Sequence, residues 1–123
     1  MIRTRMLFTA LILLAGPWAG EAAAHAFLER AEPAVGGSVA ASPREIRLFF
    51  SEPVVPQFSD AELTDAQSAP IATGKLSQGG ADKKSLVLSI GHRLPPGAYT
   101  VTWHAVSVDT HRSQGSFSFS VGR

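Results

Sequence analysis

The chain contains no cysteine among its 123 residues, and its two methionines, Met1 and Met6, both lie near the N-terminus. The lack of cysteine excludes disulfide bonds and sites in which thiolates hold zinc or Cu(I). Thioethers, which also favour Cu(I), are absent from everything beyond Met6. Any metal bound by the rest of the chain must therefore use nitrogen and oxygen donors.

The chain also lacks a basic block and a long apolar run. Its eleven basic and ten acidic residues are spread along the sequence and give a formal net charge of +1. No stretch of lysine and arginine could follow a phosphate backbone, so we do not expect nucleic-acid binding. The apolar run at residues 7–14 is shorter than the about 20 residues of a transmembrane helix. We therefore expect no transmembrane segment in the mature chain.

The N-terminal segment has the features of a secretory signal peptide. Arg3 and Arg5 precede the apolar run, and a triplet of alanines ending at Ala24 forms a small-residue cleavage site. Cleavage there would remove a signal peptide at residues 1–24 and leave one domain of 99 residues, 25–123. A domain of this size can bury an adequate core without disulfides. In a bacterium, the exported domain is expected in the periplasm.

Apolar and polar residues alternate with a period of two after residue 25, which is typical of half-buried strands. The strongest predicted strands are residues 44–51, 85–90, 98–107 and 116–121. Shorter strands are predicted at residues 26–30, 61–64 and 71–74. About seven short strands in a chain of roughly 100 residues predict an all-β, immunoglobulin-like Greek-key sandwich.

The alternation also assigns individual side chains to the inside or the outside. In the predicted strand 98–107, Tyr99, Val101 and Trp103 share one face, which we assign to the core. His104 has the opposite parity and is expected to face outward. His92 lies in a glycine-containing turn and is expected at the surface.

Three residues form a candidate metal site. If cleavage follows Ala24, His25 becomes the first residue, and its α-amine and imidazole can chelate one metal. Asp109 and His111 are two residues apart, so in an extended segment their side chains point the same way. The three residues offer three nitrogens and one carboxylate oxygen, a set that suits the tetragonal preference of Cu(II).

The same residues have simpler interpretations. An isolated Asp-x-His triplet is commonly a solvated turn, and a histidine at a new terminus can be a chance result of cleavage, since termini are tolerant of change. Against this, Ala26, Phe27 and Leu28 follow directly and are predicted to form a strand, which would attach His25 to the sheet.

Several motifs along the chain, in the same order, resemble the CopC copper-resistance family. They are His25-Ala26-Phe27-Leu28, Phe50-Ser51-Glu52-Pro53-Val54, the segment from Leu94 to Trp103, and then Ser107, Asp109, His111, Gly115, Phe117 and Phe119. The resemblance spans nearly the whole mature chain. It implies a periplasmic β-sandwich that binds Cu(II) through His25, Asp109 and His111. It also implies that copper is delivered to an inner-membrane transporter of the CopD type.

The sequence departs from the family pattern at three positions near the candidate site. The family commonly has glycine where this chain has Thr110, proline where it has Arg112, and arginine where it has His104. Some members carry a methionine-rich Cu(I) site, which this chain cannot form beyond Met6. It therefore resembles the branch that binds Cu(II) only.

The leading hypothesis is a copper carrier or buffer for copper homeostasis and resistance, not an enzyme. One alternative is a histidine-brace copper monooxygenase, although Asp109 would fill a position that oxygen needs. Another is an immunoglobulin-like interaction module whose histidines are incidental. The sequence leaves open whether Glu52 or His104 tunes the site.

Overall fold

The computed structural model describes residues 26–122, so that the predicted signal peptide and His25 lie outside the described residues. This part of the chain forms nine strands and one short 3-10 turn, Pro56–Phe58. The strands are β1 Leu28–Glu32, β2 Ser38–Val39, β3 Glu45–Phe50, β4 Asp60–Thr64, β5 Pro70–Ile71, β6 Leu76–Gln78, β7 Ser85–Ser89, β8 Gly97–Val106 and β9 Arg112–Val121. No helix between residues 26 and 122 is long and apolar enough to cross a membrane.

The strands form two sheets that pack face to face. One sheet has the order β1-β3-β7-β6, and the other has the order β2-β9-β8-β4-β5. The pairing is antiparallel except between β2 and β9, which run parallel. The predicted all-β sandwich is therefore confirmed.

The most extensive pairing joins β8 and β9, which are consecutive in the chain. Their register runs without a break from Gly97 opposite Val121 to Val106 opposite Arg112. The connection between them is the short segment 107–111, which contains Asp109 and His111. The hairpin thus places two of the predicted metal ligands at its turn, at one end of the sandwich.

Each predicted strand overlaps an observed one, and the differences lie where the alternation is weak. The observed β2 and β6 were not predicted, because two and three residues are too few to show a period. Strand β9 begins at Arg112 instead of residue 116, because its first residues are polar or glycine and carry no apolar signal. Their pairing with β8 makes them a strand.

The core lies between the inward faces of the two sheets and includes the residues that the alternation predicted. Trp103 is 6% exposed, and its ring packs edge-on against Phe50 with 5.2 Å between ring centroids and 78° between ring planes. Gly115 lies opposite Trp103, and a Cβ at that position would be 2.7 Å from a carbon of the indole ring. Glycine therefore provides the space that the tryptophan fills.

Candidate metal centre

The segment between β8 and β9 is a hydrogen-bonded turn. The Ser107 amide donates to the His111 carbonyl oxygen at 2.9 Å, and the Thr110 amide donates to the Ser107 carbonyl oxygen at 2.9 Å. The buried Ser107 hydroxyl donates to the Asp109 carboxylate and lies 3.2 Å from the His111 carbonyl oxygen. One serine thus holds both residues of the predicted Asp-x-His pair.

The turn brings the side chains of Asp109 and His111 together at the surface. Oδ2 of Asp109 lies 3.1 Å from Nδ1 of His111, and the two side chains are 57% and 46% exposed. The segment is a turn, so the prediction of an extended conformation at residues 109–111 was wrong. The side chains converge because the chain turns at residues 108–110, and not because side chains alternate along a strand.

The surroundings of Asp109 favour its ionised form. A hydrogen bond from the Ser107 hydroxyl, and then one from the His111 side chain, lower the pKa of the Asp109 carboxyl below its ordinary value. The carboxylate is therefore charged at neutral pH and can accept a cation. Because the folded-state pKa is the lower one, this interaction stabilises the fold above the ordinary pKa and is lost as the pH falls through the lowered value.

Thr110 has a backbone conformation that threonine rarely adopts. Its φ is 73°, in the left-handed region, where a β-branched residue is strained. Its hydroxyl donates to the Asp109 carbonyl oxygen at 2.5 Å. The strain falls at the position where the family resemblance leads us to expect glycine.

Replacing Thr110 by glycine is expected to raise the free energy of unfolding by about 1 kcal/mol. Relief of the left-handed strain contributes about 1–3 kcal/mol, and the greater freedom of glycine in the unfolded chain offsets part of it, about 0.4–1 kcal/mol. Urea unfolding of the metal-free protein measures the change. Thr110→Ala is the control and should give no gain, because alanine keeps the strain. Equal stabilisation by both variants would contradict the explanation.

The first described residues are held between the two sheets. Ala26 is 1% exposed, and its carbonyl oxygen accepts a hydrogen bond of 2.7 Å from the Ser113 hydroxyl on β9. The amide of Phe27 donates to the Ser51 hydroxyl at 2.9 Å, and the Ser51 amide donates to the Phe27 carbonyl oxygen at 2.8 Å. The residue that follows His25 in the sequence is therefore fixed close to the strand that follows His111.

The remaining candidates lie outside this cluster. His104 faces outward, as predicted, with its Nδ1 3.0 Å from Oδ1 of Asp60 on β4. His92 is exposed, as predicted, and its Nε2 lies 2.9 Å from the Ala72 carbonyl oxygen. Glu52 is exposed just after β3. Among residues 26–122, no group of three or more histidine, cysteine or acidic side chains is close enough to hold a metal.

Two serines that organise this end of the molecule, Ser107 and Ser113, were not predicted as site residues. Ser107 is buried directly after β8, and Ser113 occupies an inward-facing position of β9, where the neighbouring inward positions are mostly apolar. A buried hydroxyl requires a hydrogen-bond partner. An inward-facing serine at the end of the predicted strand 98–107 is therefore a signal that could have identified Ser107, whereas Ser113 lies outside the predicted strand 116–121.

Comparison with known proteins gives consistent matches. The model of the CopC domain matches residues 28–122. Copper resistance protein C of Pseudomonas syringae pv. tomato is 37% identical over 126 residues, covering 98% of this chain and 99% of that protein. The crystal structure of PcoC from Escherichia coli, a methionine-rich copper resistance protein, superimposes with a TM-score of 0.70 at 42% identity, covering 80% of this chain and 99% of that one.

A longer protein contains a similar domain. Copper transport protein CutJ of Bacillus subtilis is 25% identical over 100 residues, which cover 81% of this chain and 18% of that protein. The matches to the family model and to copper resistance proteins extend over nearly all of the sandwich described above. The chain therefore belongs to the CopC family.

Proposed function

We propose that this copper-handling protein binds one Cu(II) in the periplasm and carries or buffers it. The observation that carries the proposal is the 3.1 Å separation of Asp109 Oδ2 and His111 Nδ1. Bonds from a divalent metal such as zinc to imidazole nitrogen and carboxylate oxygen are about 2.0–2.2 Å long, so two donors at a right angle lie about 3 Å apart. The separation is thus compatible with neighbouring donors on one metal.

The remaining two donors are assigned to His25. Cleavage after Ala24 would expose an α-amine next to the imidazole, and together with Asp109 and His111 these complete a tetragonal nitrogen and oxygen set. The fixed position of Ala26 supports the assignment, because the residue joined to it by one peptide bond can then be directed at the ligand turn.

The preference for Cu(II) follows from the missing donors. The chain has no cysteine and no methionine after Met6, whereas the similar protein PcoC is described as methionine rich. Cu(I) favours the soft sulfur ligands that this domain lacks. We therefore assign the protein to Cu(II) alone.

A carrier that delivers copper needs a site that its partner can reach. Asp109 and His111 are both exposed at the end of the sandwich. The proposed recipient is an inner-membrane copper transporter of the CopD type. The match to a small part of the copper transport protein CutJ supports this proposal, because a domain of this kind is there joined to a longer copper transport protein.

Reduction is expected to release the metal. The mature protein loaded with one Cu(II) should show a tetragonal electron paramagnetic resonance spectrum, and ascorbate should then transfer the copper to a Cu(I) chelator such as bathocuproine. His111→Ala should weaken Cu(II) binding and change the spectrum. His92→Ala is the matched control and should do neither. Retention of Cu(I) against the chelator would refute the donor argument, and sustained, substrate-dependent oxygen consumption would favour the monooxygenase.

A further inference from the structure

Ser113 connects two distant parts of the chain through one hydrogen bond. Its hydroxyl, half-buried on the inward face of β9, donates to the Ala26 carbonyl oxygen at 2.7 Å across a sequence separation of 87 residues. Its neighbour on β8 is Ala105, a small buried residue. Because the described ladder of β1 begins at Leu28, this contact belongs to neither sheet.

The two partners of this hydrogen bond are adjacent to the proposed ligands. Ala26 follows His25 directly, and consecutive Cα atoms are about 3.8 Å apart. Ser113 comes two residues after His111, a distance of about 7 Å along extended chain. The hydrogen bond therefore links the segment that carries the amine and imidazole to the segment that carries Asp109 and His111.

The segment that begins at Ala26 has a second contact, with Ser51, which directly follows a strand of the other sheet. Ser51 bonds to the Phe27 backbone from the end of β3, in the sheet that does not contain the ligand turn. It holds the segment on the sheet that contains β3. The hydrogen bond from Ser113 joins the segment to the hairpin that ends in the ligand turn.

We infer that Ser113 is a positioning residue of the copper site. Its hydroxyl fixes the Ala26–Phe27 peptide unit relative to the ligand turn, and so sets the point from which His25 reaches toward Asp109 and His111. The inference rests on the proposed function. Ser113 contributes no ligand, so its loss should weaken Cu(II) binding without changing the number of metals bound.

The test compares two replacements of nearly equal volume in the mature protein. Ser113→Thr keeps the hydroxyl and should bind Cu(II) with nearly the original affinity. Ser113→Val lacks the hydroxyl and should bind about tenfold more weakly, the lower end of the 10–100-fold that loss of an outer-shell partner costs. Ser116→Ala, on the outward face of β9, is the matched control and should leave the affinity unchanged. Competition titration and electron paramagnetic resonance measure affinity and geometry.

The same substitution in a protein that lacks the amine donor shows whether Ser113 positions His25 or only stabilises the fold. In a protein with one extra alanine before His25, the amine chelate is absent, and Ser113→Val should cause no further loss of affinity. An equal loss in both backgrounds would overturn the inference, because Ser113 would then act on the ligand turn or on the whole fold. Equal Cu(II) affinity of the threonine and valine variants would also overturn it. If the unmodified mature protein bound no Cu(II), the proposed function itself would fail.

Discussion

A protein that carries one extra alanine before His25 is expected to bind Cu(II) more than about 100-fold more weakly than the protein that begins at His25. The addition converts the α-amine into an amide, which removes one donor and opens the chelate ring while leaving all other side chains in place. Loss of an outer-shell partner alone costs about 10–100-fold in metal affinity, so loss of a direct donor should exceed this range. A factor of 100 corresponds to about 2.8 kcal/mol.

The measurement has two stages. Intact mass of the exported protein first establishes whether cleavage follows Ala24, and competition against a Cu(II) chelator then gives the two affinities. A protein with the extra alanine after Arg123 is the control, because it has the same composition and a free His25 amine. Equal affinities of the two extended proteins would show that the amine is not a ligand.

Replacing Trp103 by alanine is expected to lower the free energy of unfolding by about 3–5 kcal/mol. The indole fills the space between Phe50 and the Cα of Gly115, and neither the glycine nor the rigid hairpin can close the resulting cavity. A domain of this size is stabilised by about 5–15 kcal/mol in total, so the variant should unfold at much lower denaturant concentration. Urea unfolding of the metal-free protein measures the difference.

Trp103→Phe provides the comparison. The indole Nε1 is buried with no hydrogen-bond partner among residues 26–122, and an unsatisfied buried donor costs about 1–3 kcal/mol. Phenylalanine removes this donor and keeps most of the ring, so the loss of stability should be well below that of alanine. If both variants were equally destabilised, the indole nitrogen would have to make a favourable interaction.

The sequence predicted those strands in which apolar and polar residues alternate over several positions. The alternation in β8 identified Tyr99, Val101 and Trp103 as core residues because a half-buried strand must alternate. Strand β9 was predicted four residues too short, since its first residues become a strand only through pairing with β8. Pairing partners are a property of the tertiary structure and leave no local signal.

The sequence predicted which residues form the candidate site, but it did not predict how the chain brings them together. Asp109 and His111 were identified from their donor chemistry, but the turn that joins them depends on the left-handed Thr110 and on the Ser107 hydroxyl. The anchor from Ser113 to Ala26 could not be foreseen, because nothing local relates two residues 87 positions apart. That His25, Asp109 and His111 bind one metal remains a prediction.

The two parts of the proposed site differ in when they can form during folding. Asp109 and His111 sit at the turn of the β8–β9 hairpin, whose closure is local and has a small entropic cost, while the contact of Ala26 with Ser113 closes a loop of most of the domain. In a partly folded chain the proposed His25 chelate and the Asp109–His111 pair are therefore separate from each other. In the proposed site all four donors meet only when the sandwich is complete, so we expect tight capture of copper by fully folded molecules alone.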